Sequence, residues 1–144
     1  MCRNILSFVS SSVEARSRIK VAAAVIVQGN KYLVTQRGYG AYKGFWEFPG
    51  GKIEAGESAE DAVVREIREE LCVAIEVEKR LGTVEYEYPE FHLSMECFVC
   101  RIVSGEITLR EHDGALWLHA DELNSVSFLN ADVEVVKLIQ GAGR

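Results

Sequence analysis

The chain has 144 residues, of which 48% are hydrophobic and 26% are charged, and its formal net charge is −6 at pH 7. This length fits one domain and is too short for two, and the apolar fraction excludes a largely disordered chain. The acidic balance argues against stable, sequence-independent binding of nucleic acid, which needs a basic surface. It leaves room for a small phosphorylated ligand, because a bound divalent cation can invert the field at an acidic site.

The sequence gives no strong indication of a membrane span, a secretory signal or a redox-active cysteine pair. No apolar run approaches the roughly 18 residues of a membrane span, and Ile5–Val9 is shorter than the core of a secretory signal, about 7–15 residues. We therefore expect residues 1–17 to be a loose N-terminal extension, residues 18–144 to form one domain, and the protein to be cytoplasmic. Cys97 and Cys100 lie in a strand-like run, where their side chains point to opposite faces, so separate reduced thiols are favoured over a metal or redox pair.

The first part of the domain is predicted to be mainly β-structure. Its segments are rich in Ala, Val and Leu and are separated by glycine-containing turns, which is typical of buried strands. Gly29-Asn30 divides the first two segments, which are therefore expected to form a hairpin. In chain order the predicted elements are a strand at Ile19–Gln28, a strand at Lys31–Arg37, a loop at Gly38–Gly44, and a short aromatic run at Phe45–Phe48 that leads into a turn at Pro49-Gly50-Gly51.

The segment from Ser58 to Leu71 is the clearest helix. Ser58 is expected to be the N-cap, with Asp61 three residues later in a capping-box pattern. Val63, Ile67 and Leu71 recur every four positions and give the stripe that faces the core.

The remainder of the chain is predicted to contain further strands and a closing helix. Strands around one long helix and one terminal helix predict an α/β protein with a mixed β-sheet and helices on its faces. In chain order the predicted elements are β-rich runs at Ala74–Tyr88 and Phe91–Val103, a short β-like segment at Glu106–Arg110, a strand at Ala115–His119, a turn or brief helix at Ala120–Leu123, and a helix at Ala131–Gln140.

Three acids of the long helix fall on one side of it. Glu66, Glu69 and Glu70 lie within an arc of about 100° beside the core stripe. Like charges at these spacings destabilise an isolated helix by roughly a few tenths of a kcal/mol per pair. Arg65 and Arg68 could offset these charges, and a hard divalent cation suits three carboxylates better. An ordinary glutamate-rich surface helix remains the alternative.

A pair of glycines, Gly50 and Gly51, precedes this helix and is followed by Lys52 and Glu57. Glycine permits close approach of the backbone and a carbonyl turned toward a ligand. A glycine turn that feeds an acidic helix could hold a metal ion against a phosphate, although an ordinary turn would have the same sequence.

The segment Gly51–Val73 resembles the Nudix box, G-x5-E-x7-R-E-U-x-E-E-x-G-U, where U is an aliphatic residue. The match departs from the pattern only at Cys72, which replaces the second glycine. The likeness continues upstream through Trp46–Gly50 and covers about Val21–Leu138. Within the Nudix superfamily the chain is most similar to the MutT-like nucleoside triphosphate pyrophosphohydrolases.

This resemblance implies an α/β/α sandwich in which the box forms a loop, a helix and a second loop. It also implies a bound Mg²⁺, for which Mn²⁺ could substitute. The implied ligands are the carboxylates of Glu66, Glu69 and Glu70 and the carbonyl of Gly50, with Glu57 as a further metal or water contact.

Three other positions have roles implied by the same resemblance. Arg65 would orient the carboxylates without touching substrate. Glu111, six residues before Trp117, matches an additional acidic residue that binds metal or acts as a base, with an ordinary loop acid as the alternative. Cys72 stands where a left-handed residue often ends a helix, so it is expected to affect local stability and to leave the chemistry intact.

Substrate contacts are suggested at both ends of the domain. Arg37 matches a phosphate-contacting arginine and Lys52 could make a similar contact, although either could be an exposed charge. Asp132 aligns with a residue that reads the base edge in relatives, and it could otherwise be an acid favoured at a helix N-terminus. Aromatic residues are more often core than ligand contacts; the candidates for stacking on a base are Phe48, Trp46 and Phe128.

The function implied is hydrolysis of a (deoxy)nucleoside triphosphate to a monophosphate and pyrophosphate, by attack of water at the β-phosphorus. The leading hypothesis is clearance of a non-standard nucleotide such as 8-oxo-dGTP, or of a pyrimidine such as CTP or 5-methyl-dCTP. The alternatives are hydrolysis of ADP-ribose or another nucleoside diphosphate derivative, and a non-catalytic nucleotide-sensing module.

Other activities fit the sequence less well. The complete glutamate set weighs against the sensing module, and the acidic charge weighs against trimming of RNA 5′ ends. A P-loop NTPase is disfavoured because the motif G-x-x-x-x-G-K-[ST] is missing. The expected partner is a small nucleotide, without membrane or stable nucleic-acid binding, and the expected state is a monomer or homodimer.

Overall fold

In the computed structural model, which describes residues 17–142, a mixed sheet lies between two helices. The Ile5–Val9 segment and residues 1–16 of the predicted extension lie outside the described residues. In the part of the chain that the structure describes, no helix has the length and hydrophobicity that a membrane crossing requires. The elements are β1 (Ser17–Gln28), β2 (Lys31–Arg37), β3 (Trp46–Glu47), β4 (Gly50–Lys52), α1 (Ala59–Leu71), β5 (Ala74–Glu87), β6 (Phe91–Ser104), β7 (His112–His119), a 3₁₀ helix (Ala120–Ser125) and α2 (Asn130–Ala142).

The sheet has the order β3-β2-β1-β6-β5, with β4 paired to β1 and β7 paired to β2. Strands β1 and β6 run parallel, and the other pairs are antiparallel. The predicted mixed sheet is therefore confirmed. The predicted hairpin is also confirmed: Gln28 pairs with Lys31, and Gly29 turns the chain with a φ of +65°.

Strand β1 is covered on both faces, because its side chains alternate between two hydrophobic cores. Val21 and Val25 pack in the core that contains Val135 and Ile139 of α2. Ala22, Ala24 and Ile26 pack in the core that contains Val63, Ile67 and Leu71 of α1. One helix thus covers each face of the sheet, which confirms the predicted α/β/α sandwich.

Helix α1 begins and packs as predicted. The Ser58 hydroxyl accepts a hydrogen bond from the backbone N–H of Asp61 at 3.0 Å, which satisfies one of the free donors at the helix start. Val63, Ile67 and Leu71 are fully buried. Glu66 and Glu70, beside this stripe, are buried as well, at 5% exposure each.

The predicted turn at Gly50-Gly51 is wrong, because both glycines belong to strand β4. Gly50 pairs with Ala23, and Gly51 pairs with Ala22. Neither glycine has a positive φ; the reason for glycine is space, since a Cβ on Gly50 would lie 2.0 Å from the Ala22 carbonyl oxygen. A run of small residues was mistaken for a turn where two backbones make a close approach.

The predicted strand at Glu106–Arg110 is also wrong. The segment caps the end of α1: Thr108 N–H donates to the Leu71 carbonyl at 2.9 Å, and Arg110 N–H donates to the Glu70 carbonyl at 3.4 Å. The last carbonyls of a helix have no partner within the helix, so this segment satisfies them. It also carries Glu111 to the acidic end of α1.

Other boundaries differ by a few residues. Strand β1 begins at Ser17 and α2 at Asn130, each slightly earlier than predicted, and β7 begins at His112 where a start at Ala115 was predicted. The turn or brief helix predicted from Ala120 is the 3₁₀ helix.

The two cysteines of the C-x-x-C lie on opposite faces of β6, as predicted. Cys97 belongs to the core on the α2 side and Cys100 to the core on the α1 side. Among the described residues the thiols of Cys72, Cys97 and Cys100 are free. Burial raises the pKa of the Cys97 and Cys100 thiols to about 12 each, so both are held as unreactive thiols.

Cys72 ends helix α1 in the left-handed conformation, with φ 61° and ψ 27°. It is the one residue other than glycine with a positive φ in the described chain. The Cβ of an ordinary residue crowds the backbone in this region.

We expect Cys72→Gly to raise the free energy of unfolding by about 1 kcal/mol, because glycine removes the Cβ penalty at this φ. Urea unfolding would measure the change. Cys72→Ala is the matched control, since alanine keeps the Cβ and removes only the thiol. An equal gain in both variants would show that the thiol, and not the backbone conformation, is responsible.

Candidate active site

A solvent-open cleft lies beside strand β1 and the acidic side of α1. The cleft combines carboxylates, glycine backbone and apolar side chains, and six of the predicted site residues line it: Gly50, Glu70, Glu111, Arg37, Phe48 and Asp132.

The remaining predicted site residues lie beside or behind the cleft and do not line it. They fall into two groups. The charged group surrounds one guanidinium on α1 and comprises Glu57, Arg65, Glu66, Glu69 and Lys52. The aromatic group supports Phe48 and comprises Trp46 and Phe128.

Arg65 is the centre of the charged group. Its Nε donates to Glu57 Oε2 at 2.7 Å, and its Nη1 donates to Glu66 Oε2 at 2.9 Å and to Glu69 Oε1 at 3.3 Å. Its Nη2 donates to the Lys52 carbonyl at 3.0 Å, which ties the helix to strand β4. The guanidinium therefore holds several carboxylates and does not line the cleft.

Glu57 is committed to this network. Its Oε1 accepts from the Glu54 N–H at 3.0 Å and from Arg65 Nη2 at 3.0 Å, while Oε2 accepts from Arg65 Nε. The hydrogen bonds from Arg65 hold the pKa of Glu57 below its usual range, and Glu57 in turn raises the pKa of Arg65 further above its ordinary value. The structure thus places Glu57 against Arg65 and outside the cleft lining.

Glu66 lies against the glycine backbone of β4. A Cβ on Gly51 would lie 2.3 Å from the Glu66 carboxyl carbon, so any other residue at this position would displace the carboxylate from where it lies. Glu66 is 5% exposed, and within residues 17–142 its buried Oε1 has no hydrogen-bond partner. An unsatisfied buried acceptor costs about 1–3 kcal/mol, which a cation at this point would remove.

The carboxylates around Arg65 fit a hard divalent cation. One guanidinium faces the carboxylates of Glu57, Glu66 and Glu69, so negative charge is left over. The residues that the structure describes do not form a ready cage of three or more metal-ligating side chains. Mg²⁺ usually binds through one or two carboxylates and completes its shell with water and substrate phosphate, so an incomplete protein cage is compatible with it.

Arg37 is buried in an ion pair on the cleft wall. It is 7% exposed, and its Nη1 donates to Glu47 Oε1 at 2.8 Å. His112 approaches the other oxygen of Glu47, with Nε2 and Oε2 3.3 Å apart. Sequence reasoning missed Glu47 and His112. Arg37 and His112 are paired residues of the neighbouring strands β2 and β7. This pairing depends on the strand register, which the sequence alone does not give, so it could not be predicted.

Asp132 lies at the start of α2 and is almost fully buried in the cleft wall. The backbone N–H of Phe48 donates to its Oδ1 at 2.9 Å. Burial, reinforced by the charge of Glu47, raises the pKa of Asp132 well above its ordinary value. The shift favours the protonated carboxyl, which can donate one hydrogen bond as well as accept others.

Phe48 lines the cleft and is itself buried. Phe128 stacks on it, with ring centroids 5.4 Å apart and an interplanar angle of 8°. Trp46 fixes the supporting segment through its backbone, since its N–H donates to Ser127 at 2.8 Å and its carbonyl accepts from Leu129 at 3.0 Å. Phe48 is thus the aromatic candidate that faces the cleft, while Trp46 and Phe128 hold it in place.

Tyr39 is a further lining residue that the sequence analysis missed. Its hydroxyl donates to Glu111 Oε1 at 2.9 Å. The two residues are 72 positions apart in the chain, so no local pattern could have paired them.

The chain is similar to known proteins over most of its length. A family model of the NUDIX domain matches residues 21–138. The 8-oxo-dGTP diphosphatase of Escherichia coli K12 is 31% identical over 121 residues, which cover 83% of this chain and 94% of that protein. The CTP pyrophosphohydrolase of the same organism is 30% identical over 120 residues, which cover 83% of this chain and 89% of that protein.

The fold is shared with solved structures as well. The crystal structure of a MutT NUDIX hydrolase from Burkholderia pseudomallei has a TM-score of 0.78 and 26% sequence identity, and the match covers 86% of this chain and 99% of that one. The chain therefore belongs to the Nudix family of hydrolases, which act on phosphoanhydride bonds of small nucleotides and generally need a divalent metal ion.

Proposed function

We propose that this chain hydrolyses a (deoxy)nucleoside triphosphate to a nucleoside monophosphate and pyrophosphate with Mg²⁺, and that it removes damaged or non-standard nucleotides from the nucleotide pool. One observation carries the proposal: the Glu66 carboxylate is buried against Gly51 with Oε1 unpaired within the described residues, next to a cleft lined by Glu70 and Glu111. A hard divalent cation fits the carboxylates of this cleft.

The acidic end of the cleft supplies the groups for hydrolysis. The residues that would hold Mg²⁺ are Glu66, Glu69 and Glu70 with the Gly50 carbonyl. When bound, the ion would lower the pKa of water and offset charge on the phosphate oxygens. Arg65 holds Glu66 and Glu69 in fixed rotamers. Glu111 and Glu70 line the cleft, where one carboxylate can accept the proton of the attacking water.

The other lining residues supply the groups for binding a base. Phe48 lines the cleft and is the aromatic candidate for contact with a base. Protonated Asp132 can donate to an acceptor on the base edge, and its position is fixed by the Phe48 N–H. The relatives named for 8-oxo-dGTP and CTP support a triphosphate with either type of base as the substrate class.

The proposed location of this activity is the cytoplasm. The described cysteines are free, and two of them are buried on opposite faces of one strand. Free thiols of this kind are typical of a reducing compartment. The predicted state, monomer or homodimer, stays a prediction.

A substrate panel tests the proposal directly. Purified protein would be assayed with 8-oxo-dGTP, dGTP, CTP, 5-methyl-dCTP and ADP-ribose, with Mg²⁺ and with excess chelator, and the products would be separated by chromatography. Release of monophosphate and pyrophosphate from a triphosphate, only with metal, supports the proposal. Turnover of ADP-ribose alone would make the substrate class wrong, and tight binding without turnover would indicate a sensing module.

We expect Glu70→Gln to lower kcat by roughly 100-fold or more, because the amide can neither carry the negative charge nor accept the proton. Glu60→Gln is the matched control, since Glu60 is an exposed acid in the first turn of the same helix. Steady-state kinetics would be compared at saturating Mg²⁺, with thermal unfolding as the check on folding. Near-normal kcat in a folded Glu70→Gln protein would remove this residue from the mechanism.

We expect Asp132→Asn to stabilise the fold relative to the wild type by an amount that grows as the pH rises from about 4 toward neutrality. The folded pKa of Asp132 is raised, so its contribution to stability is complete below the unfolded pKa near 3.9 and is lost as the pH rises toward the folded pKa. Asparagine keeps the acceptor for the Phe48 N–H and carries no charge.

Urea unfolding across this pH range would measure the difference in free energy. Asp121→Asn, at an exposed position in the 3₁₀ helix, is the control. A difference between Asp132→Asn and wild type that stays constant with pH would show that Asp132 is not titrating as described.

A further inference from the structure

We propose that Tyr39 is a positioning residue for Glu111: its hydroxyl holds the Glu111 carboxylate in the orientation that the reaction needs. The inference rests on the proposed function, in which Glu111 serves the ion or the attacking water. Tyr39 Oη donates to Glu111 Oε1 at 2.9 Å, and both residues line the cleft. The bond leaves the second carboxylate oxygen of Glu111 for the ion or the water.

Burial of its ring does not account for the position of Tyr39. The residue is 39% exposed, which is unusual for a large aromatic side chain that serves only packing. It lies in the loop between β2 and β3, where Gly40 and Gly44 have φ values of +85° and +94°. The hydrogen bond to Glu111 is an interaction that packing of the ring does not explain.

The loop is fixed to the chain segment that carries Glu111. A Cβ on Gly38 would lie 2.5 Å from the Glu111 carbonyl oxygen, so the two backbones touch directly before Tyr39. At the other end of the loop, Lys43 Nζ lies 3.7 Å from Asp113 Oδ2. The hydroxyl of Tyr39 is thus presented to Glu111 by a loop attached on both sides of the contact.

A hydrogen bond from a phenol to a carboxylate restricts the carboxylate to one rotamer. The side chain of a glutamate has three rotatable bonds, and an attacking water or a cation must be met in one geometry. A residue that acts through Glu111 changes the rate of the chemical step more than it changes nucleotide binding.

The kinetic test compares Tyr39→Phe with Tyr42→Phe. Tyr42 lies in the same loop, packs edge-on against Phe45 at a centroid distance of 6.2 Å and does not line the cleft, so it is the matched control. Tyr39→Phe should lower kcat by roughly 10-fold with little change in KM, because a hydrogen bond to a charged group is lost. Tyr42→Phe should leave both constants unchanged. An unchanged kcat in Tyr39→Phe would overturn the inference.

A double-mutant cycle with Glu111→Gln separates action through Glu111 from a direct effect on substrate. In the Glu111→Gln background, Tyr39→Phe should change kcat by less than about 2-fold. A full further loss would overturn the inference, since Tyr39 would then act independently. Near-normal activity of Glu111→Gln would also overturn the inference, because Glu111 would then have no role in the reaction. The role of the α1 acids in the proposed function is tested separately by Glu70→Gln.

A spectroscopic measurement tests the positioning without turnover. The carboxyl ¹³C resonance of Glu111 would be identified in glutamate-labelled protein by its loss in Glu111→Gln. It should shift in Tyr39→Phe and stay unchanged in Tyr42→Phe, while both variants unfold at the temperature of the wild type. A resonance unaffected by Tyr39→Phe would contradict the proposed hydrogen bond.

Discussion

The ion-pair network of Arg65 is the interaction on which the acidic site depends. Helix α1 places Glu66 and Glu69 on one side, where their charges repel. Arg65 bonds to both and also to Glu57, so the carboxylates are held in place in the folded chain. One positive charge does not balance three negative ones, and Glu70 adds a fourth. The protein thus folds around a preorganised site that still favours a further cation.

The second constraint is steric and lies where β4 meets α1. Gly51 pairs with Ala22 in the sheet, and on its other side it leaves room for the carboxylate of Glu66. Arg65 closes the same junction by donating to the Lys52 carbonyl. A side chain at position 51 would displace this carboxylate. The glycine is therefore needed to leave room for Glu66, and not for a turn.

Local features of the fold could be predicted from the sequence, whereas contacts between distant segments could not. The Ser58 cap and the buried stripe of α1 depend on neighbouring residues, and both were predicted. Glu106–Arg110 was misassigned because Ile107 and Leu109 suit a strand, yet their side chains pack on the α1 side while the backbone bonds to the helix end. Whether such a segment forms a strand or caps a helix depends on which backbone donors and acceptors the rest of the fold leaves unpaired.

In the candidate site, too, local features could be predicted from the sequence and contacts between distant segments could not. The spacing of the α1 acids came from helix geometry, but the hydrogen bond between Phe48 and Asp132 joins residues 84 positions apart and depends on how β3 meets the start of α2. The contacts of Arg37 could not be predicted from its position in the sequence. Its guanidinium donates a hydrogen bond to Glu47. Glu47 also raises the pKa of Asp132, whereas Arg37 lowers it. In the proposed function, a phosphate that drew Arg37 away from Glu47 would strengthen the effect of Glu47 on Asp132 and favour the protonated acid. The proposed phosphate and base contacts of the cleft would then be electrostatically linked.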